Sequence, residues 1–289
     1  MNRIQKETKM EQEDPYVGQV LIQVIRTLEE NLMEAWMALE VHPRVEIYAG
    51  EDLTQFVSGV PFPLCNGIFQ ARLNPEGIDD AIEEALQIFR ERKLPGLWWV
   101  GPSSSPEDLE SRLQRHGLAA AGNVVGMAAD LSMVADSLSF PEGISLAEVT
   151  DETLLGQFFH PFSTVFSIPP FAADFFREAY RGLGFEPQTP LRNYVAFHEG
   201  RPVASASLFL EAGAAGIYNV AVLPEFRRKG IGKAMTLRAI EDAKTSGYGI
   251  GVLHAMEGAD ALYRSIGFQE YCRFASYLWQ GPEPPSRPS

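Results

Sequence analysis

Cysteine is nearly absent from this chain: Cys65 and Cys272 stand far apart in 289 residues, with no CxxC or metal-type spacing. A disulfide framework and a thiolate metal centre are thereby excluded. Histidine is sparse too. His198-Glu199 opens an H-E-x-x-H pattern, but Pro202 stands where the second histidine would be, so no metal site is expected. No apolar run approaches the ~18 residues of a membrane span. The first residues, with Lys6, Glu7, Lys9, Glu11, Glu13 and Asp14, hold no apolar signal core, and the expected location is the cytoplasm. Positive charge is in deficit, 24 Lys and Arg against 38 Asp and Glu for a net charge of -14. Such a surface repels nucleic acid and anionic membranes, so neither is an expected partner.

What is present is a globular composition, 45% hydrophobic and 21% charged, in a chain long enough for two domains. Apolar spacing of three and four through Leu28, Leu32 and Trp36 predicts a long helix from Tyr16 to Val41. Short strands at 45–48, 54–57, 66–73 and 96–100 and helices at 78–92 and 105–116 follow, before a long strand over 118–133. Asp136 to Gly143, with Ser137, Ser139 and Pro141, is a candidate linker. A second succession then starts: a strand at 144–149, two aromatic-rich helices broken at Ser167-Ile168-Pro169-Pro170, a hairpin around Glu199 to Pro202, and a closing strand over 268–279. The proline-rich end, 281–289, is expected to be disordered, and residues 1–14 to be frayed.

The chemistry concentrates in Ile217 to Met235, I-Y-N-V-A-V-L-P-E-F-R-R-K-G-I-G-K-A-M. The β-branched start reads as a buried strand that Pro224 ends. The residues from Lys233 onward read as an amphipathic helix. Between them, Gly230 and Gly232 allow a tight turn whose backbone N-H groups converge, and Arg227, Arg228, Lys229 and Lys233 add cations. The ligand such a turn suits is a phosphate or pyrophosphate at a helix N-terminus. A P-loop is excluded, because Arg227 and Ala234 stand where Gly and Ser or Thr are required. A dinucleotide fingerprint fails as well, since Met235 replaces its third glycine.

The remaining pattern R-x-x-G-x-G, within V-A-V-L-P-E-F-R-R-K-G-I-G-K-A, resembles the acetyl-CoA loop of the GCN5-related N-acetyltransferases. The resemblance covers about 144–280 and implies a mixed α/β sheet flanked by helices, with acetyl-CoA as cosubstrate and an amine of a small molecule or peptide as acceptor. It implies cofactor contacts at Val220, Ala221, Val222, Arg227, Arg228, Lys229, Gly230, Ile231, Gly232 and Lys233, with the strand splayed from its neighbour so that N-H groups near Val220 and Val222 reach the pantetheine. Ala261-Leu262-Tyr263-Arg264-Ser265-Ile266-Gly267-Phe268 is similar to the family's second signature, which gives Tyr263 the role of acid toward the departing thiolate. Met256 stands where related sequences carry Asn or Ser, and methionine there reads as a core filler. Glu211, at a strand end, is the expected general base, with a water chain as the alternative. A protein that holds coenzyme A without turnover, as a sensor, would show the same loop.

The halves repeat. Gly67-Ile68-Phe69-Gln70 matches Gly216-Ile217-Tyr218-Asn219 at an offset of 149 (216 less 67), and Pro75-Glu76 matches Pro224-Glu225 at the same offset. Two tandem acetyltransferase-like domains are expected, 1–135 and 144–280, joined by 136–143. In the first copy Asp79, Asp80, Glu83 and Glu84 replace the bases and would repel a pyrophosphate. The N-terminal copy therefore reads as degenerate, serving to support the other, to shape the acceptor cleft or to form a homodimer.

Overall fold

The computed structural model describes residues 15–135 and 138–281. The expectations of fraying at 1–14 and disorder beyond Gly281, and part of the candidate linker, lie outside the described residues. The chain runs α1 (Pro15–Met37), β1 (Glu46–Ala49), β2 (Thr54–Val57), β3 (Asn66–Phe69), α2 (Ile78–Arg92), β4 (Gly96–Val100), α3 (Leu109–Arg115) and β5 (Ala119–Asp130). It continues with β6 (Ile144–Glu148), α4 (Glu152–Val165), α5 (Pro170–Leu183), β7 (Leu191–His198), β8 (Arg201–Glu211), β9 (Ala214–Val222), α6 (Ile231–Thr245), β10 (Ile250–Met256), α7 (Asp260–Arg264) and β11 (Gln269–Trp279).

Among the described residues eleven strands form one sheet, in the order β1-β2-β3-β4-β11-β5-β10-β9-β8-β7-β6. The order shows an exchange: β11, from the end of the chain, lies between β4 and β5, while β5 lies between β11 and β10. Each half lends its closing strand to the other. Strands β3 and β4 are parallel, as are β9 and β10, and every other neighbouring pair is antiparallel.

Alternation along the strands sends side chains to two faces. On one face α6 and α7 pack on residues such as Leu253 and Ala255, and α2 and α3 pack on Ile68 and Trp98. On the other, α4 and α5 supply a cluster of phenylalanines, and α1 lays Leu28 against Val252 and Phe274. Helix α1 belongs to the first half yet packs on the centre of the sheet. Its buried Asn31 donates from Nδ2 to the carbonyls of Glu211 (2.8 Å) and Ala214 (3.2 Å), and its Oδ1 accepts from the Tyr218 hydroxyl (2.7 Å). A methyl on Gly216 would overlap this carboxamide, so the strand must carry glycine where α1 crosses.

Candidate active site

Strands β9 and β10 pair only at Ala215 with Gly251 and Gly216 with Val252. Beyond those pairs they diverge. The cause lies partly on the other side of β9. Between Ser205 and Ser207 the β8–β9 register shifts, so that Asn219 and Val220 together oppose Ala206. This is a β-bulge, with Asn219 in the left-handed region at φ 54°. The bulge re-aims the side chains: Tyr218 joins the α4–α5 cluster, whereas Val220 and Val222 pack toward α6.

Antiparallel pairing alternates N-H direction, and Leu223 N-H bonds the Val203 carbonyl across to β8. The N-H groups of Val220 and Val222 therefore face the gap that opens between β9 and β10. Ala221 does not. It pairs with Ser205, and its side chain is fully buried.

At the open end of the gap stands the N-terminus of α6. Gly230 caps it in a left-handed conformation (φ 84°), which other L-residues adopt at a cost, and no side chain satisfies the first N-H groups of the helix. Arg227, whose Nε donates to the Val222 carbonyl at 3.0 Å, lies beside it with Arg228 and Lys233, all three exposed. The gap and the helix end open into one cavity of about 590 Å³, lined by Val220, Val222, Arg227, Arg228, Gly232 and Lys233 among others. Lys229 is not part of that lining; its ammonium sits 5.1 Å over the Phe226 ring.

Tyr263, from α7, lines the same cavity. It is 8% exposed, and burial pushes its phenol up to about 12. Its hydroxyl has no hydrogen-bond partner among the described residues. It is thus a protonated donor facing a cavity. Met256, expected in the core, is 59% exposed and also lines the cavity; it still pairs with Val124 of β5, but β9 has parted from β10 before this point. Of the aromatics on the two helices, Phe166 lines the cavity, while Phe159, Phe162 and Phe176 are core.

Glu211 is not brought to this site. It is exposed, pairs with Ala214 where β9 begins, and the cavity lies at the other end, about 20 Å along a strand rising ~3.3 Å per residue. Two cavity residues carry no signal in the sequence pattern. His254 lines the cavity with its ring stacked on Tyr218 (centroids 6.1 Å, 8°) and edge-on to Phe274 (4.7 Å); burial lowers its imidazole to about 3, so it is neutral. Asn219 is the other.

The first half supplies an internal template for what occupies such a gap. Past its parallel pairs with β4, β3 also ends at a left-handed residue, Gln70, again with φ 54°. There the space is closed by the chain itself: Ser105 N-H donates to the Ala71 carbonyl at 3.0 Å, and its carbonyl accepts from Leu73 N-H at 3.1 Å. At the offset of 149, Ala71 and Leu73 correspond to Val220 and Val222. An amide thus fits the edge of this strand plan, and the second copy leaves the equivalent edge open to a ligand carrying one. The capped helix end beside the gap suits an anion on the same ligand.

Comparison with known proteins agrees with this geometry. Residues 156–268 match the model of the acetyltransferase (GNAT) family. The fold matches a GCN5-related N-acetyltransferase from Kribbella flavida over 87% of this chain and 96% of that one, at 15% identity and TM-score 0.64. It matches another from Sphaerobacter thermophilus over 81% and 82% of the two chains, at 16% identity and TM-score 0.61. A tandem GNAT protein from the clavulanic acid biosynthesis pathway matches over 84% and 85%, at 16% identity and TM-score 0.56. No curated protein matches the chain. Among the described residues no helix is long and apolar enough to cross a membrane, and no group of three metal-ligating side chains gathers.

Proposed function

We propose, from a chain whose residues 156–268 match the GNAT acetyltransferase family model, that it transfers the acetyl group of acetyl-CoA to a primary amine of a small molecule or peptide, by direct attack with both substrates bound. One observation carries the reading: the splayed β9–β10 gap, the glycine-capped start of α6 and the Tyr263 hydroxyl all face a single cavity.

Acetyl-CoA brings the activated thioester. The N-H groups at Ile231, Gly232 and Lys233, with Arg227 and Arg228, hold its pyrophosphate at the positive end of α6. Val220 and Val222 align the pantetheine along the open strand edge and direct the thioester inward, so that attack is positioned rather than diffusional. The amine nitrogen forms a bond to the carbonyl carbon and the carbon–sulfur bond breaks. Tyr263, kept protonated by burial, gives its proton to the leaving sulfur. The proton lost by the amine leaves through water. The half spanning 1–135, whose own gap is filled by Ser105, takes no cofactor and serves to complete the sheet and to set α1 beneath the site.

Calorimetry with acetyl-CoA and thiol release with a panel of amines test this. Binding with release stimulated by an amine is expected. Binding without release under any amine would instead identify a coenzyme A sensor, and absence of binding would overturn the cavity assignment.

A further inference from the structure

We infer that the side-chain carbonyl of Asn219 holds the incoming amine, and that the preferred acceptor is an amine arriving uncharged and carrying an apolar or aromatic substituent. The inference rests on the acetyltransferase reading of the same cavity.

The carboxamide of Asn219 is fixed in direction by what surrounds it. Its Nδ2 donates to the Tyr180 hydroxyl oxygen at 3.0 Å and to Ser207 Oγ at 2.9 Å. Ser207 commits its single proton to Asn193 Oδ1 at 2.6 Å, so toward Asn219 its oxygen can only accept. Both amide protons of Asn219 are engaged, and Oδ1 is left with no partner among the described residues. It is not sealed either: Asn219 lines the cavity, and this oxygen is not one of the fully enclosed unpaired atoms. The bulge sets it one residue from Val220, where the strand edge is open to the thioester arm. A fixed, vacant acceptor beside the reacting carbonyl is what an amine N-H needs for orientation.

The rest of the lining decides the class of amine. Val165, Phe166, Tyr218 and Leu262 are apolar or aromatic, His254 is neutral, and among the described residues no carboxylate lines the cavity. A buried ammonium would find no counter-charge, whereas a neutral amine finds one acceptor and an aromatic wall. Weakly basic aromatic amines are uncharged at neutral pH and match this best.

The test compares native protein with Asn219→Gly and Asn219→Asp. Glycine keeps the left-handed backbone of the bulge and removes the carboxamide; aspartate keeps an oxygen acceptor and adds charge. Acetyl-CoA affinity is measured by calorimetry, and kcat and KM are measured for aniline-type, benzylic and aliphatic amines; if none exceeds water, hydrolysis of acetyl-CoA is compared instead. The expected results are unchanged acetyl-CoA affinity in Asn219→Gly and a roughly tenfold loss in kcat/KM for the best amine, or in hydrolysis, the worth of one hydrogen bond. Native protein should favour aromatic over aliphatic amines at pH 7, with Asn219→Asp shifting preference toward the aliphatic cations. Unchanged kinetics in Asn219→Gly would overturn the inference while the acetyltransferase reading stood. A native preference for aliphatic cations would overturn the substrate class, and native protein that binds no acetyl-CoA would overturn both readings.

Discussion

Gln70 and Asn219, 149 positions apart, hold the same backbone angle, φ 54°, each just where a strand parts from its parallel neighbour. Left-handed backbone is uncommon outside glycine, so the shared angle marks a shared plan. Each is followed by a helix capped by a left-handed glycine, Gly77 at φ 89° and Gly230 at φ 84°. Side chains then separate the copies. Asp79 and Asp80 fill the first turn of α2, where the first turn of α6 carries no acid.

On the proposed function, this difference predicts a stoichiometry of one acetyl-CoA per chain. Arg228→Glu combined with Gly230→Asp should weaken binding by at least ~100-fold by placing anions at the helix start, with an unchanged circular dichroism spectrum. Asp79→Asn with Asp80→Asn should leave affinity as it was. Calorimetric titration reads both, and a second site, or loss of affinity in the aspartate variant, would refute the assignment to the C-terminal copy.

In the proposed transfer Tyr263 protonates the leaving thiolate, and burial holds its phenol at about 12, above the ordinary value of about 10. Tyr263→Phe should lower thiol release by ~100-fold, the low end for a general acid, without changing acetyl-CoA affinity. In the native protein the acid stays protonated as pH rises from 7 to 9. The rate should therefore show no alkaline fall in that range; a fall near pH 8 would mean another group supplies the proton.

How far the residues alone announced this arrangement depends on the range of the forces involved. Helix Ile78–Arg92 and strand Gly96–Val100 have the expected bounds, because apolar period and a glycine or proline at each end act locally. The exchange of β5 and β11 left no such mark. Their alternation reads the same whichever long strand lies alongside, and only the completed sheet decides the partner. Asn219 was hidden for a related reason: a bulge is a mismatch between two strands, not a property of one. Glu211 stands away from the site because strand direction, which residue type does not reveal, decides its end: β9 runs toward the cleft, so an acid preceding its first residue lies at the far edge.

In the first copy, the acids that replaced the bases form a titrating cluster. His116 bonds Asp79 (2.9 Å) and Glu83 (2.6 Å). The bond from His116 holds Asp79 below the usual carboxylate range, and Glu83 is lowered by Arg90 and then His116. Burial opposes the charge on His116, yet its two carboxylate bonds raise it overall. The lowered carboxylates stabilise the fold above their unfolded values near 4, an effect lost as pH falls through their folded values. The raised histidine stabilises below its unfolded value near 6.5, an effect lost as pH climbs through its folded value. The difference in melting temperature between native protein and His116→Ala should thus be largest at about pH 5 to 6 and shrink on either side. A difference that does not vary with pH would show that the cluster contributes packing alone.

Strand exchange makes a stronger demand on folding. If β5 completes the C-terminal copy and β11 completes the N-terminal one, neither half keeps its sheet when the other unfolds, and α1 ties them again through Asn31. Urea should therefore unfold the chain in one transition, coincident by tyrosine and tryptophan fluorescence and by far-ultraviolet dichroism. Asn31→Ala leaves the Glu211 and Ala214 carbonyls and the Tyr218 hydroxyl without their partner in a buried site, which costs about 3 kcal/mol. Its signature should be a lower midpoint for the whole transition with an unchanged slope. Two separate transitions in native protein, or an Asn31→Ala effect confined to one of them, would mean that the halves fold independently and that the exchanged strands dock only after each core has formed.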